Sequence, residues 1–237
     1  MTTAMIDAAA ALDPQPRSYR WASLSYCVVD AIWSIGAHYD NVVVPLVARV
    51  AAAAGDASPA VPATSPPAPD PLPLPVLLAR YPDVGALTAR TNEQRTSTRN
   101  GIRKADAVLR YARILVEHQI IDLSAAGALL AGPDERFSVV DTALAAVPGD
   151  GQHGVRRGYL WMLCGSDQLV KPDRMVLRWI ARHCPGVGPA DARRLLGEVA
   201  AALTTRLGRP VTPWMLDHAI WQAERGKRGA GVSPQPS

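Results

Sequence analysis

Apolar positions along the chain recur mostly at helical spacing. Leu24, Val28, Ile32 and Ile35 follow a three-to-four residue repeat that Gly36 interrupts and that Val42, Leu46 and Val50 resume, so residues 18–54 read as two helices. "PVLLARYPDVGALTAR" predicts two short helices around a turn at Pro82. In "IRKADAVLRYARILVEHQI", Ala105, Val108, Leu109, Ala112, Leu115 and Val116 share one face, whereas Arg103, Arg110, Arg113 and Glu117 lie elsewhere. "DLSAAGALLAG" predicts another helix. Further helices are expected in "KPDRMVLRWIARHC", "PADARRLLGEVAAALTTRLG" and "TPWMLDHAIWQAER". No alternating run is long enough for a convincing sheet, and the expected class is all-α.

Between these periodic stretches the pattern lapses in three places. Residues 1–17 form a loose arm in which "MIDAAAALD" makes a short helix ended by "PQP". Residues 55–75 carry eight of the 21 prolines and predict a disordered, extended polyproline-like insertion. Such a segment is a candidate docking strand for an SH3-like protein partner, although no basic residue flanks its PxxP-like spacings. The last residues, "GKRGAGVSPQPS", read as a disordered tail.

The 237 residues suffice for one large core or two modest lobes. Composition then narrows the function classes. The net charge is +4 and the isoelectric point about 9.2, but lysine occurs only at positions 104, 171 and 227. An Arg-rich, Ala-rich chain can owe that balance to composition bias, so the charge gives weak support to a nucleic-acid partner. Cys27, Cys164 and Cys184 are scattered, which indicates neither a disulfide framework nor a zinc site. With cysteines so scattered, a reducing cytoplasm is the expected compartment, and no membrane association is expected, because no window reaches the roughly 18 apolar residues of a span.

The stretch "ALAAVPGDGQHGVRRGYLWML" places a tight break between two helices. Pro148 stops the first, Gly149 and Gly151 permit positive φ, and the second helix begins with free backbone N–H groups, which can bind an anion such as a phosphate. An αα-hairpin with no ligand accounts for the same residues. About twenty residues beyond the break, Asp173 opens the next helix.

This order resembles the helix-hairpin-helix DNA glycosylase superfamily (HhH-GPD), which includes endonuclease III, mismatch-adenine glycosylases and alkylpurine glycosylases. In that family a PGxG hairpin and a helix precede an aspartate that starts the following helix. Residues 147–155 fall at the hairpin and Asp173 at the catalytic aspartate. "LSYCVVDAIWSIGAHYDNVVVPLVARV" is similar to the family's first core helix and following turn, and "GIRKADAVLRYARIL" to the helix two before the hairpin. The resemblance covers roughly residues 24–183 and implies two helical lobes. A middle lobe of about six helices spans residues 25–165. The other is built from the arm at 1–24 and the helices of 166–225, followed by the tail at 226–237. Their cleft would take a flipped nucleotide of double-stranded DNA.

The resemblance implies roles for particular residues. Cleavage of an N-glycosidic bond builds positive charge on the sugar, and an ionised Asp173 would stabilise it. As an N-cap, Asp173 would accept backbone N–H bonds and benefit from the helix dipole, and capping alone also explains an aspartate there. Lyase members carry a lysine just past the hairpin. Here that position is His153, preceded by Gln152, so a monofunctional glycosylase is expected, with His153 orienting water, touching the base or simply hydrogen-bonded in place. Gly149, Gly151, Gln152, Arg156, Arg157, Lys171 and Arg174 are candidate DNA contacts. Solvated faces are the alternative for the arginines, and for Arg174 also pairing with Asp173. Trp33, His38 and Tyr39, around the Gly36 break, are candidates for a base pocket.

Several features depart from the family. Asp150 sits between the two glycines, where its charge opposes phosphate unless Arg156 or a bound monovalent cation compensates. A second PGxG, "CPGVG" at residues 184–188, matches the family's hairpin sequence better but follows Asp173 instead of preceding it, and reads as a turn or as a second DNA contact. No cysteine follows Cys184, so no iron-sulfur cluster is expected. The alternative function is a non-catalytic DNA-binding or complex-forming protein of the same fold.

Overall fold

The structure is a computed structural model, and it describes residues 2–98, 101–150 and 154–229, with side chains through Arg225. Twelve α-helices lie among the described residues. In chain order they are α1 (Thr3–Ala10), α2 (Leu24–Trp33), α3 (Val44–Ala53), α4 (Leu74–Arg80), α5 (Val84–Arg90), α6 (Lys104–Glu117), α7 (Leu123–Ala131), α8 (Asp134–Ala145), α9 (Val155–Leu163), α10 (Arg174–His183), α11 (Pro189–Leu207) and α12 (Pro213–Gly229). The expected all-α class stands, with one small addition. Two three-residue strands, β1 (Tyr19–Trp21) and β2 (Ala60–Pro62), pair antiparallel with Arg20 opposite Val61.

The chain divides into two compact units. Residues 18–165 form the middle unit, and residues 1–17 with 166–237 form the terminal unit. The arm therefore ends at residue 17, not 24, because residues 19–21 are taken into β1. Likewise α12 carries helix past residue 225 to Gly229, into the segment expected to be tail.

In the middle unit, α2 is buried along its whole length and packs against α3, α6 and α9. A helix apolar on all sides must lie inside, since no face can be given to water. The face of α6 carrying Ala105, Val108, Leu109, Ala112 and Leu115 is buried, while Val116 is only half-buried.

The proline-rich segment is not a disordered insertion. Its β2 strand supplies backbone bonds to β1, and Leu72 is fully buried. The Ser23 and Ser25 hydroxyls both donate to the Leu72 carbonyl, at 2.9 and 2.5 Å. Asp70 accepts from the Leu72 amide with Oδ1 (3.0 Å), and from the amides of Leu24 (2.9 Å) and Leu123 (3.2 Å) with Oδ2. Proline cannot donate, so side chains supply the polar links that a ladder would otherwise make.

The terminal unit is built around one apolar cluster. It joins Met5 and Ala9 of α1, Val176, Trp179 and Ile180 of α10, Leu195, Leu196, Val199 and Leu203 of α11, and Met215, Leu216 and Ile220 of α12. Arg182 of α10 pairs with Glu224 of α12 at its far end.

Candidate functional site

The break after α8 is an αα-hairpin held by its own side chains. Gly149 has φ 87°, and a Cβ there would lie 2.3 Å from Thr96, so both backbone and space require glycine. Arg157, 18% exposed, pairs with Asp141 of α8 and with Asp150 of the turn, and its Nε lies 2.8 Å from Asp150. Trp161 donates its indole N–H to Asp141 at 2.8 Å. The hydroxyl of buried Tyr111 donates to Asp150 at 3.2 Å, and burial, then the Asp150 charge, push that phenol above its usual range. The Asp150 charge that seemed set against a phosphate is thus turned onto Arg157 and Tyr111. Gly151, Gln152 and His153, three of the sequence-derived site residues, lie outside the described residues.

Arg156 corrects an expectation. It is 0% exposed and cannot be a surface phosphate contact. Its amide donates to the Asp150 carbonyl at 3.2 Å, using one of the N–H groups that a bare helix start would offer to an anion. Its guanidinium nitrogens have no hydrogen-bond partner among the described residues, and burial lowers its pKa from the ordinary arginine value.

The Gly36 turn is organised by two buried charged residues. Asp30, 0% exposed, accepts from Trp21 Nε1 (2.8 Å), the Tyr39 hydroxyl (3.1 Å) and the Ser34 hydroxyl. Lys104 donates to the carbonyls of Trp33 (2.9 Å) and Ile35 (2.8 Å) and to Gln94 Oε1 (3.3 Å), placing a cation on the C-terminal end of α2. Burial, then the Arg156 charge, lower the Lys104 ammonium to about 8. Sequence reading missed both residues. Asp30 and Lys104 sit at helical positions that look like solvent positions, and only packing from α6 and β1 shows otherwise.

The base-pocket candidates separate. Trp33 is 0% exposed in the core and donates its Nε1 to Asn92 at 2.9 Å, so it is a core residue and not a stacking platform. His38 is exposed and caps the π-helical turn Tyr39–Val43, accepting from the Asn41 amide at 3.4 Å. Tyr39 is half-buried and also hydrogen-bonds Tyr159 of α9, which ties the Gly36 turn to the helix after the hairpin.

In the terminal unit, Asp173 is the N-cap of α10. Its Oδ1 accepts from the amides of Met175 (2.8 Å) and Val176 (3.1 Å). Its Oδ2 makes no hydrogen bond among the described residues, and the residue is half-buried. Arg174 is exposed and forms no ion pair among the described residues, so it does not neutralise Asp173. Lys171 is half-buried, and its amide donates to Asp217 of α12 at 2.9 Å. The later PGxG is the turn between α10 and α11, with Gly186 at φ 85° and Pro189 in the first turn of α11.

A cavity of about 430 Å³ in the same unit is lined by Arg17, Asp167, Arg209, Trp214 and neighbours. Arg17 lies 4.2 Å over the Trp214 ring and pairs with Asp167, and Arg209 pairs with Asp13, so the cations there are already matched. No group of three or more potential metal ligands occurs among the described residues. No described helix is long and apolar enough to cross a membrane.

Residues 2–225 match the family described as a domain of unknown function (DUF8548), and the chain belongs to that family. No curated protein and no solved structure matches it.

Proposed function

We propose that this member of the DUF8548 family is a DNA-glycosylase-like protein, monofunctional, with Asp173 as the carboxylate that acts on the N-glycosidic bond of a flipped, damaged or modified base. The observation that carries the reading is the state of Asp173. One oxygen is fixed by two backbone N–H groups of α10, and the other is left open. Capping occupies Oδ1 alone, and an Oδ2 without a hydrogen bond among the described residues is compatible with the chemistry.

As the bond from the sugar C1′ to the base breaks, its electron pair leaves with the base and positive charge grows on the sugar ring. The open carboxylate oxygen stabilises that charge and takes a proton from the water whose oxygen bonds to C1′. The proton taken up by Asp173 is returned through solvent to the departing base, which leaves neutral, so the products are a free base and an abasic sugar and the carboxylate is restored. The hairpin is compatible with the same reading, because the Asp150 carboxylate is bonded to Arg157 and Tyr111, which lessens its opposition to phosphate there. With Arg156 buried, Lys171 and Arg174, in the same unit as Asp173, remain as candidates to meet the backbone. No cofactor enters the chemistry.

The burial of Arg156 also favours a second reading, a non-catalytic DNA-binding protein of the same fold, since it removes a cation from the hairpin surface. One experiment separates the two. Oligonucleotides carrying uracil, alkylated purines, oxidised purines or hypermodified pyrimidines are incubated with the protein, and abasic sites are scored. The glycosylase reading expects release of at least one base, reduced about a hundredfold or more in Asp173→Asn. Salt-sensitive binding without release supports the second reading, and neither binding nor release refutes both.

A further inference from the structure

We infer that Asp217 is a positioning residue for Asp173, holding the turn that presents the open carboxylate oxygen, an inference that rests on the role given to Asp173 above. Asp217 lies in the second turn of α12 and is 6% exposed, surrounded in sequence by the apolar cluster residues Met215, Leu216 and Ile220. A carboxyl group in such a place costs stability unless it serves a partner. Its Oδ1 accepts the Lys171 amide at 2.9 Å, and its Oδ2 makes no hydrogen bond among the described residues.

That single bond begins a relay. The Lys171 carbonyl accepts the Asp173 amide at 2.6 Å, closing a three-residue turn over buried Pro172. Pro172 has no N–H and a fixed φ, so the two amides flanking it carry all the donor capacity of the turn. One is spent on Asp217 and the other on closing the turn. Asp173 then passes the register into α10 through Oδ1. Both amides of the turn are committed, and among the described residues Asp173 Oδ2 is left without a hydrogen bond, as is Asp217 Oδ2.

The charges felt at Asp217 come from the same turn. Burial raises its carboxyl to about 7, the neighbouring Asp173 charge pushes the same way, and the Lys171 amide and ammonium oppose. The buried faces of the elements in its cluster are apolar: Val176, Trp179 and Ile180 of α10, Leu195, Leu196 and Val199 of α11, and Met5 and Ala9 of α1. The α10–α12 pair Arg182–Glu224 lies toward the other end of both helices. Above neutrality the ionised Asp217 sets a second negative charge beside Asp173.

The test uses the full chain as wild type, Asp217→Ala, Asp217→Asn and Asp173→Asn, read by amide hydrogen exchange and by single-turnover base release. In Asp217→Ala, exchange at Lys171, and also at Met175 and Val176 where Asp173 caps, accelerates about tenfold. Base release falls about a hundredfold while DNA affinity is retained. Asp217→Asn, whose carbonyl still accepts the Lys171 N–H, restores most of both losses and abolishes the inflection near pH 7 in the wild-type release profile. Should Asp217→Ala fold poorly, exchange in Asp217→Asn still decides: an asparagine carbonyl that holds the Lys171 amide keeps Lys171, Met175 and Val176 within about twofold of wild type. Cap amides that ignore the alanine substitution overturn the inference, as does an asparagine in which all three exchange as fast as in a chain without the Lys171 bond. A wild type that releases no base but shows the expected exchange pattern refutes the glycosylase reading instead and leaves the hold of Asp217 on Asp173 standing.

Discussion

The hairpin of the middle unit and the Lys171–Pro172–Asp173 turn of the terminal unit handle charge in opposite ways. Around the hairpin, Asp141 and Asp150 share Arg157, and Tyr111 and Trp161 donate to them, so each of these carboxylates has partners in its own unit. At the terminal turn, Asp173 meets no cation among the described residues, has a second buried carboxyl nearby, and keeps one oxygen open. The proposed reactivity would draw on the terminal turn, while the hairpin carboxylates are bonded to partners in their own unit.

Breaking the hairpin should have the largest effect. Gly149→Ala forces a non-glycine residue to φ 87° and drives its Cβ into Thr96, and is expected to cost about 2–5 kcal/mol in chemical denaturation. A loss below about 0.5 kcal/mol would mean that the corner is not rigid.

The terminal turn can be probed by pH alone. Asp217 titrates near its ordinary 3.8 when unfolded and at about 7 when folded. Below the first value both states hold the proton. Between the two only the folded chain does, so the Asp217 contribution falls as pH rises through that window and is lost above about 7. Melting curves of wild type against Asp217→Asn should diverge across it by roughly 2–4 kcal/mol, and parallel curves would refute the shift.

Arg156 sharpens the comparison with a smaller effect of opposite sign. A buried guanidinium with no hydrogen bond among the described residues is replaced in Arg156→Met by an apolar chain of similar length, and stability should rise by about 1–3 kcal/mol. A decrease would show that its charge interactions with Asp150 and Tyr111 outweigh the cost of burial.

The helices were legible because burial repeats every three to four residues, and α6 is the clearest case: Ala105, Val108, Leu109, Ala112 and Leu115 fall on the buried face. The β1–β2 pairing was not legible, since three-residue strands carry no periodicity and their partners are about forty residues apart. Asp173 could be read as a cap from its place before "RMVLRW", but its open oxygen could not. Trp33 and Arg156 were misplaced for related reasons. Each sits at a helix end where sequence suggests exposure, and each is covered by other elements in the fold. Asp217, in "WMLDHAIW", carried no signal, because its importance lies in a backbone amide more than forty residues away.

The carboxylate of Asp70 has a consequence for how the middle unit would respond to a cut chain. It joins the proline-rich segment to the starts of α2 and α7 by accepting the amides of Leu24 and Leu123, and accepts the Leu72 amide of its own segment, while β2 is stitched to β1. A protease nick between β2 and Asp70 would therefore leave each new end still anchored on its own side. The segment behaves as a splint, and the two fragments would remain assembled as one body until denaturant separated them.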